Sequence, residues 1–320
     1  MPGSDAENMP DKINKFLIAA LVISTVALAV SIVSFINAKQ GSVTILRENK
    51  VVISDSTLQK IFAPNVPDDI SFCSEKADLS KADLRERFDR ELIANSFAHG
   101  STLIILKRSG KYFPVIETIL KKNNVPDDLK YLCVAESSLS NAISPSDAVG
   151  FWQFLEETAK QYGLEINDEI DERYHVEKST EAACKFLKEA KQKAGNWALA
   201  AASYNSGMGG VHSQIELQKK NNFYDLLLNQ ETSRYLFRIM SLKYILENPE
   251  KCGYFLNDTD YYKPTETESI EIYSGISDLV AFAFSHKTNY KLLKLHNPWL
   301  RKPYLTNKER KTYTILIEKI

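Results

Sequence analysis

The sequence lacks the marks of several large function classes. Lys and Arg number 40 against 41 Asp and Glu, a net charge of −1. No field of one sign is available to hold a polyanion, so a nucleic-acid partner is not expected. Four cysteines in 320 residues are too few for a disulfide scaffold. The histidines (His99, His175, His212, His286 and His296) are scattered, and none stands at metal-ligand spacing from a cysteine or another histidine. Neither a metal nor a cofactor is expected. There is no tandem repeat and no low-complexity tract, and strand-type alternation is nearly missing between residues 84 and 250. With 44% apolar and 25% charged residues the composition is ordinary for a globular chain. That excludes long disorder, collagen and a multi-span membrane protein, and the length fits about two domains.

Charge is also missing from Phe16 to Ile36, a run rich in Ala, Val, Ile and Leu. As a helix it spans roughly 30 Å, the thickness of a bilayer core. A buried core helix should carry a polar stripe, which this run lacks. A cleaved signal should be shorter and end in a small-residue site, which is not evident here. No cysteine follows directly, so a lipid anchor is not indicated. The expectation is a polar tail over residues 1–15 and a single uncleaved membrane span over 16–36. Lys12 and Lys15 precede the span and Lys39, Arg47 and Lys50 follow it, which leaves its orientation open.

Residues 37–84 read as an extended connector, with Val51–Ile53 as a strand and Pro64 and Pro67 as interruptions. Helical periodicity then takes over. Helices are expected over 84–107, 113–122, 126–138, 155–162, 178–193, 195–205, 222–229 and 231–247. After a linker around Pro264 the pattern becomes strand–helix–helix–strand, at 270–274, 277–285, 290–295 and 312–317, which suggests a separate small module.

Three segments carry candidate chemistry. In the helix after Pro126, Leu129, Leu132 and Cys133 stand at i, i+3 and i+4, and Glu136 is the next member of that buried stripe. A carboxylate on a core-facing side retains its proton, with a pKa about one to two pH units above the usual value near 4.3, as a general acid requires. A half-solvated Glu at a fraying helix end is the bland alternative. The loop Ser137–Val149 leads into Gly150-Phe151-Trp152-Gln153, whose flat rings and amide suit either a sugar or a hydrophobic plug. The small-residue helix from Trp197 allows close approach to a neighbour. It ends at Tyr204 and Asn205 before Gly207, a candidate C-cap.

Taken together, Glu136-Ser137, Gly150-Phe151-Trp152-Gln153 and Ala202-Ser203-Tyr204-Asn205-Ser206-Gly207 resemble the lytic murein transglycosylases of the goose-type lysozyme superfamily, most of all their membrane-bound D type. Val125-Pro126-Asp127-Asp128-Leu129, Asp171-Glu172-Arg173-Tyr174, Ser179-Thr180-Glu181-Ala182-Ala183 and the helix Tyr235–Leu246 extend the likeness. The resemblance implies a mainly α, lysozyme-like catalytic domain over 85–255. It implies cleavage of the β-1,4 bond between N-acetylmuramic acid and N-acetylglucosamine of peptidoglycan, with a 1,6-anhydro end. It assigns Glu136 as the catalytic acid/base and Tyr204 as its hydrogen-bonding orienter. Ser137, Gly150, Trp152, Gln153, Asn205 and Tyr235 are assigned to the substrate.

One departure is Asp147-Ala148, where the family commonly has Gly-Ala. Asp tolerates the left-handed backbone, but goose-type lysozymes carry an Asp in the corresponding segment, so hydrolysis stays open as an alternative, as does a non-catalytic peptidoglycan-binding scaffold. Residues 264–320 resemble a divergent LysM repeat through Gly275-Ile276-Ser277-Asp278-Leu279, Phe282-Ala283, Thr288 and Asn297-Pro298. Such an α+β module implies a tether to glycan strands, with an inert appendage as the alternative. The implied location is the bacterial inner membrane, with the catalytic domain in the periplasm and cell-wall synthesis or remodelling proteins as further partners. Cys133 and Cys184 should be buried thiols. A Cys73–Cys252 bridge is left open, since it requires Cα atoms within roughly 7 Å.

Overall fold

The computed structural model describes residues 63–318 and the backbone of two short strands before them. The chain falls into two units, Met1–Phe62 and Ala63–Ile320. In the first, β1 (Thr44–Leu46) pairs antiparallel with β2 (Lys50–Val52). The expected span at 16–36 lies outside the described residues. Among the described residues no helix is long and apolar enough to cross a membrane.

The second unit is mainly helical. It begins with a hairpin, β3 (Asp69–Phe72) and β4 (Glu75–Asp78), in the segment expected to be an open connector. Cys73 and Ser74 both have positive φ, as a two-residue hairpin of the primed type demands. Ile70, Phe72, Ala77 and Leu79 enter the main core. The Glu75 carboxylate accepts from the Trp197 and Ala198 amides at 2.8 and 3.3 Å, stabilising the start of a distant helix by its negative charge. This part of the connector is therefore a piece of the core.

The expected helix over 84–107 divides in two, α1 (Ala82–Ser96) and α2 (His99–Lys122), and α2 runs on through Pro114. The break is fixed by contacts that no local pattern records. Tyr254 donates to the Ser96 carbonyl at 2.6 Å and Thr102 Oγ1 to the Asn95 carbonyl at 2.5 Å. There follow α3 (Lys130–Ser137), α4 (Glu156–Gln161), α5 (Val176–Ala194) and α6 (Trp197–Ser206). The series ends with α7 (Met208–Gln218) and α8 (Gln230–Glu247). Helix α7 matches none of the expected helices, and the helix expected over 222–229 is only a single 3-10 turn, Phe223–Asp225. Ala198, Ala200, Ala201 and Ala202 of α6 are all buried, so small side chains do let this helix lie deep among its neighbours.

The C-terminal module follows the expected order: β5 (Glu268–Ile272), α9 (Leu279–Ser285), α10 (Tyr290–His296) and β6 (Tyr313–Ile317). β5 and β6 pair antiparallel, with Ile270 opposite Ile315. It is not set off by a free linker. Its core of Leu279, Leu293, Trp299, Leu300 and Ile315 is continuous with Val149, Ile170 and Tyr174 of the helical region. All four cysteines are free thiols. Cys133 and Cys184 are buried as expected, and no bridge joins Cys73 to Cys252.

Candidate active site

Leu129, at the end of the 3-10 turn that leads into α3, and Leu132 and Cys133 of α3 lie wholly in the core, and Glu136 follows on the same stripe. The helix ends at Ser138, which is left-handed at φ 53°, so the chain turns sharply away just past the carboxyl group. Burial is the largest influence on Glu136 and disfavours its charged form. The Tyr235 hydroxyl, which donates to Oε1, and the Arg238 charge act in the opposite sense, while Glu231 adds to the rise. The outcome is a carboxyl raised to about 7, within the range a general acid needs near neutral pH.

The hydrogen bond to Glu136 expected of Tyr204 is made by Tyr235. Tyr204 donates to the Trp152 carbonyl at 2.7 Å, and its ring packs against Phe154 and Phe186. Tyr235, one of the residues assigned to substrate, is the one that holds Glu136. Both phenols are raised well above 10, by burial first and the Glu136 charge second, so both remain protonated donors. Tyr204 therefore stands close behind the acid without binding it.

The Gly150-Phe151-Trp152-Gln153 segment also differs from expectation. Trp152 is 0% exposed and its Nε1 donates to Thr180 Oγ1 at 2.8 Å. A ring enclosed on all sides has no face for a sugar, and Phe151 is likewise buried. The need for glycine at 150 is steric: φ is +84°, and a Cβ would lie 2.0 Å from the Arg173 carbonyl oxygen. Ser137 is buried with its hydroxyl turned back to the Cys133 carbonyl. Ser137, Gly150, Phe151 and Trp152 are all buried and pack beneath the site.

Gln153 and Asn205 are different. Gln153 is partly exposed, and its Nε2 donates to the Ala142 and Gly150 carbonyls, which leaves its amide oxygen as a free acceptor among the described contacts. Asn205 accepts from Thr232 Oγ1 at 2.8 Å and donates to Glu231 Oε1 at 3.3 Å. The residues missed in the sequence lie on α8: Glu231, Thr232 and Arg238 join Tyr235 at the site. Their spacing about Tyr235 (four before, three before, three after) is a helical stripe of polar side chains. That periodicity was available in the sequence; the facing partner, Glu136, was not.

Asp147 is exposed and left-handed at φ 60°, the backbone that suits Asp or Gly. Its carbonyl accepts from Arg173 Nη1. Among the described residues no group of His, Cys, Asp and Glu is arranged to hold a metal ion.

Comparison with known families supplies context for this geometry. Residues 113–227 match the transglycosylase SLT domain, and residues 268–319 match the soluble lytic transglycosylase C-terminal LysM-like domain. The chain is 32% identical over 209 residues to membrane-bound lytic murein transglycosylase D of Escherichia coli strain K12, covering 61% of this chain and 45% of that protein. The protein of the same name from Escherichia coli O6:H1 matches equally. The chain thus spans less than half the length of these curated relatives. The SLT match encloses Glu136, Gln153, Tyr204 and Asn205, and the LysM-like match follows it.

Proposed function

We propose that this protein is a peptidoglycan lytic transglycosylase, cleaving the bond between N-acetylmuramic acid and N-acetylglucosamine and leaving a 1,6-anhydro end. The observation that carries the reading is one carboxyl without a cationic partner, Glu136, raised to about 7 by desolvation and bound by one phenol, inside the SLT match. Glu136 protonates the leaving glycosidic oxygen. As a carboxylate it then removes the proton of the muramoyl C6 hydroxyl, which attacks C1. With a nucleophile supplied by the substrate, one carboxylate suffices where most glycosidases need two. Tyr235 orients Glu136, Tyr204 supports the site from behind, and Gln153 and Asn205 offer amides to the sugar. The helical region is read as lysozyme-like and residues 264–320 as a LysM-like binder of glycan.

The membrane-bound character in the relatives' name and the uncharged run at 16–36 support an inner-membrane anchor. Peptidoglycan lies beyond that membrane, so the anchor is N-in and the catalytic domain periplasmic. Digestion of sacculi with the detergent-solubilised chain, followed by mass spectrometry of the soluble products, tests the reading. Anhydro ends are expected. Reducing ends establish a hydrolase instead, and no release in an active preparation of sacculi leaves a binding scaffold.

A further inference from the structure

The loop between Glu136 and Gln153 contains no helix, and its order comes from elsewhere. Arg173 Nη1 donates to the Asp147 and Phe154 carbonyls, each at 3.3 Å, one at either end of the loop's second half. Gly150 lies directly against the Arg173 carbonyl, and Asn141 Nδ2 reaches the Tyr174 carbonyl at 3.4 Å. Arg173 is itself fixed by Asp171, through Nε to Oδ1 at 3.0 Å and Nη2 to Oδ2 at 2.8 Å, a forked pair that locks the guanidinium plane. Both side chains are nearly buried.

Asp171 in turn is held by the C-terminal module. Its amide donates to the Trp299 carbonyl at 2.9 Å, and the Arg301 amide donates to the Glu169 carbonyl at 2.7 Å. Side chains close the same junction. The Arg301 guanidinium lies 4.0 Å over the Tyr174 ring, Trp299 stacks on His175, and the Glu169 carboxylate accepts from the Thr306 amide at 2.7 Å. An unbroken set of contacts runs from the module through Asp171 and Arg173 to the loop carrying Gln153.

We propose that Arg173 is a positioning residue for the reaction, and that the C-terminal module acts through it to set the catalytic loop against Glu136, beyond any tethering of glycan. This rests on the transglycosylase reading. A loop displaced by about 1 Å loses on the order of 100-fold in rate when it orients substrate, and such loops depend on the shell behind them.

The full chain is assayed on short soluble glycans, too small to need a tether. Arg173→Lys retains a charge for Asp171 but not a planar fork able to span two further carbonyls. It is expected to lower kcat about 10- to 100-fold with KM little changed. The fall of activity with rising pH stays in place, because Glu136 still sets it. The double variant Glu169→Gln, Arg301→Ala loosens the junction from its outer side, where folding is not at risk, and is expected to lower kcat by roughly tenfold. Hydrogen exchange at the Ala148, Val149 and Gly150 amides should quicken in both.

Wild-type kcat in a folded Arg173→Lys chain overturns the proposal. So does a double variant that loses sacculus binding while keeping kcat, since that is the behaviour of a tether. If Arg173→Lys does not fold, the double variant decides. If the wild-type chain releases nothing from any glycan, the functional reading fails on its own. The exchange measurement then judges the bracing, and unchanged loop amides refute it.

Discussion

Two parts of the molecule hold carboxylates out of water and treat them oppositely. At 171–172, Asp171 faces Arg173 through the forked pair, and Glu172 accepts from Lys178 and from the Glu165 amide. At 136, a partly buried carboxylate receives one phenol hydroxyl and only the more distant charge of Arg238. A buried carboxylate is tolerated as an ion when paired and hydrogen-bonded; otherwise it keeps its proton. The first pair therefore supports architecture, and the second is left protonated for chemistry. The difference is one of partner, since Asp171 and Glu172 are the more buried of the three.

The comparison breaks most visibly at the chemical step. Glu136→Gln keeps volume and removes the transferable proton. Release from sacculi should fall by about 1000-fold or more while circular dichroism and sacculus binding are unchanged. Activity within a few-fold of wild type ends the assignment. Asp171→Ala should do the reverse in kind. It strands a buried guanidinium and is expected to cost about 3–5 kcal/mol of stability, read from the denaturant midpoint. A cost under 1 kcal/mol would mean that the pair is not the anchor described above.

Stability should also depend on pH in a way that only the unpaired site produces. The Glu136 carboxyl rises from 4.5 to about 7 on folding, so the folded state binds its proton more tightly than the unfolded chain does. The resulting stabilisation is fully present below pH 4.5 and is lost as pH rises to about 7. At 1.36 kcal/mol per pH unit this is roughly 3 kcal/mol. Glu136→Gln should therefore stabilise the protein more at pH 8 than at pH 4, by up to that amount. An equal effect at both ends would show a normally titrating group.

Tyr235→Phe sharpens the same contrast with a smaller effect. Losing one oriented hydrogen bond is expected to lower kcat by about 10- to 100-fold. The tyrosine favours the ionised acid, so its removal raises the Glu136 carboxyl further. The loss of activity with rising pH then moves to higher pH. Tyr204→Phe, which forfeits only the bond to the Trp152 carbonyl, should leave that limb nearly in place. Equal shifts in both variants would mean that the two tyrosines share the acid.

What the sequence disclosed follows from the range of its signals. Period and caps are local, so the helix bearing Glu136, the close-packed alanine helix and the strand–helix–helix–strand tail were readable. The acid was legible because Leu129, Leu132 and Cys133 fix the buried side of a short helix. Contacts across the chain were not. Tyr235 reaches Glu136 from a helix far along the sequence, Tyr254 sets the α1–α2 break from farther still, and the docking of the module depends in part on backbone amides that carry no residue signature. Trp152 stays open in the sequence for a related reason. An aromatic beside a Gln suits a sugar or a core equally, and only the position of Thr180 decides.

The smallest effect expected is at Asp147, where the chain departs from the Gly-Ala common in the family it resembles. The residue is left-handed and exposed, and its link to the site is a backbone carbonyl that accepts from Arg173. Asp147→Gly keeps that carbonyl and relieves the Cβ penalty at positive φ, while giving the unfolded chain more freedom to lose. These opposing contributions should leave stability within about 0.5 kcal/mol of wild type. Because the anchoring group is main chain, the proportion of anhydro product should not move either. A shift in product from reducing to anhydro ends would instead show that the Asp147 carboxylate activates water. The loop would then contain a second chemical group, and Glu136 would not act alone.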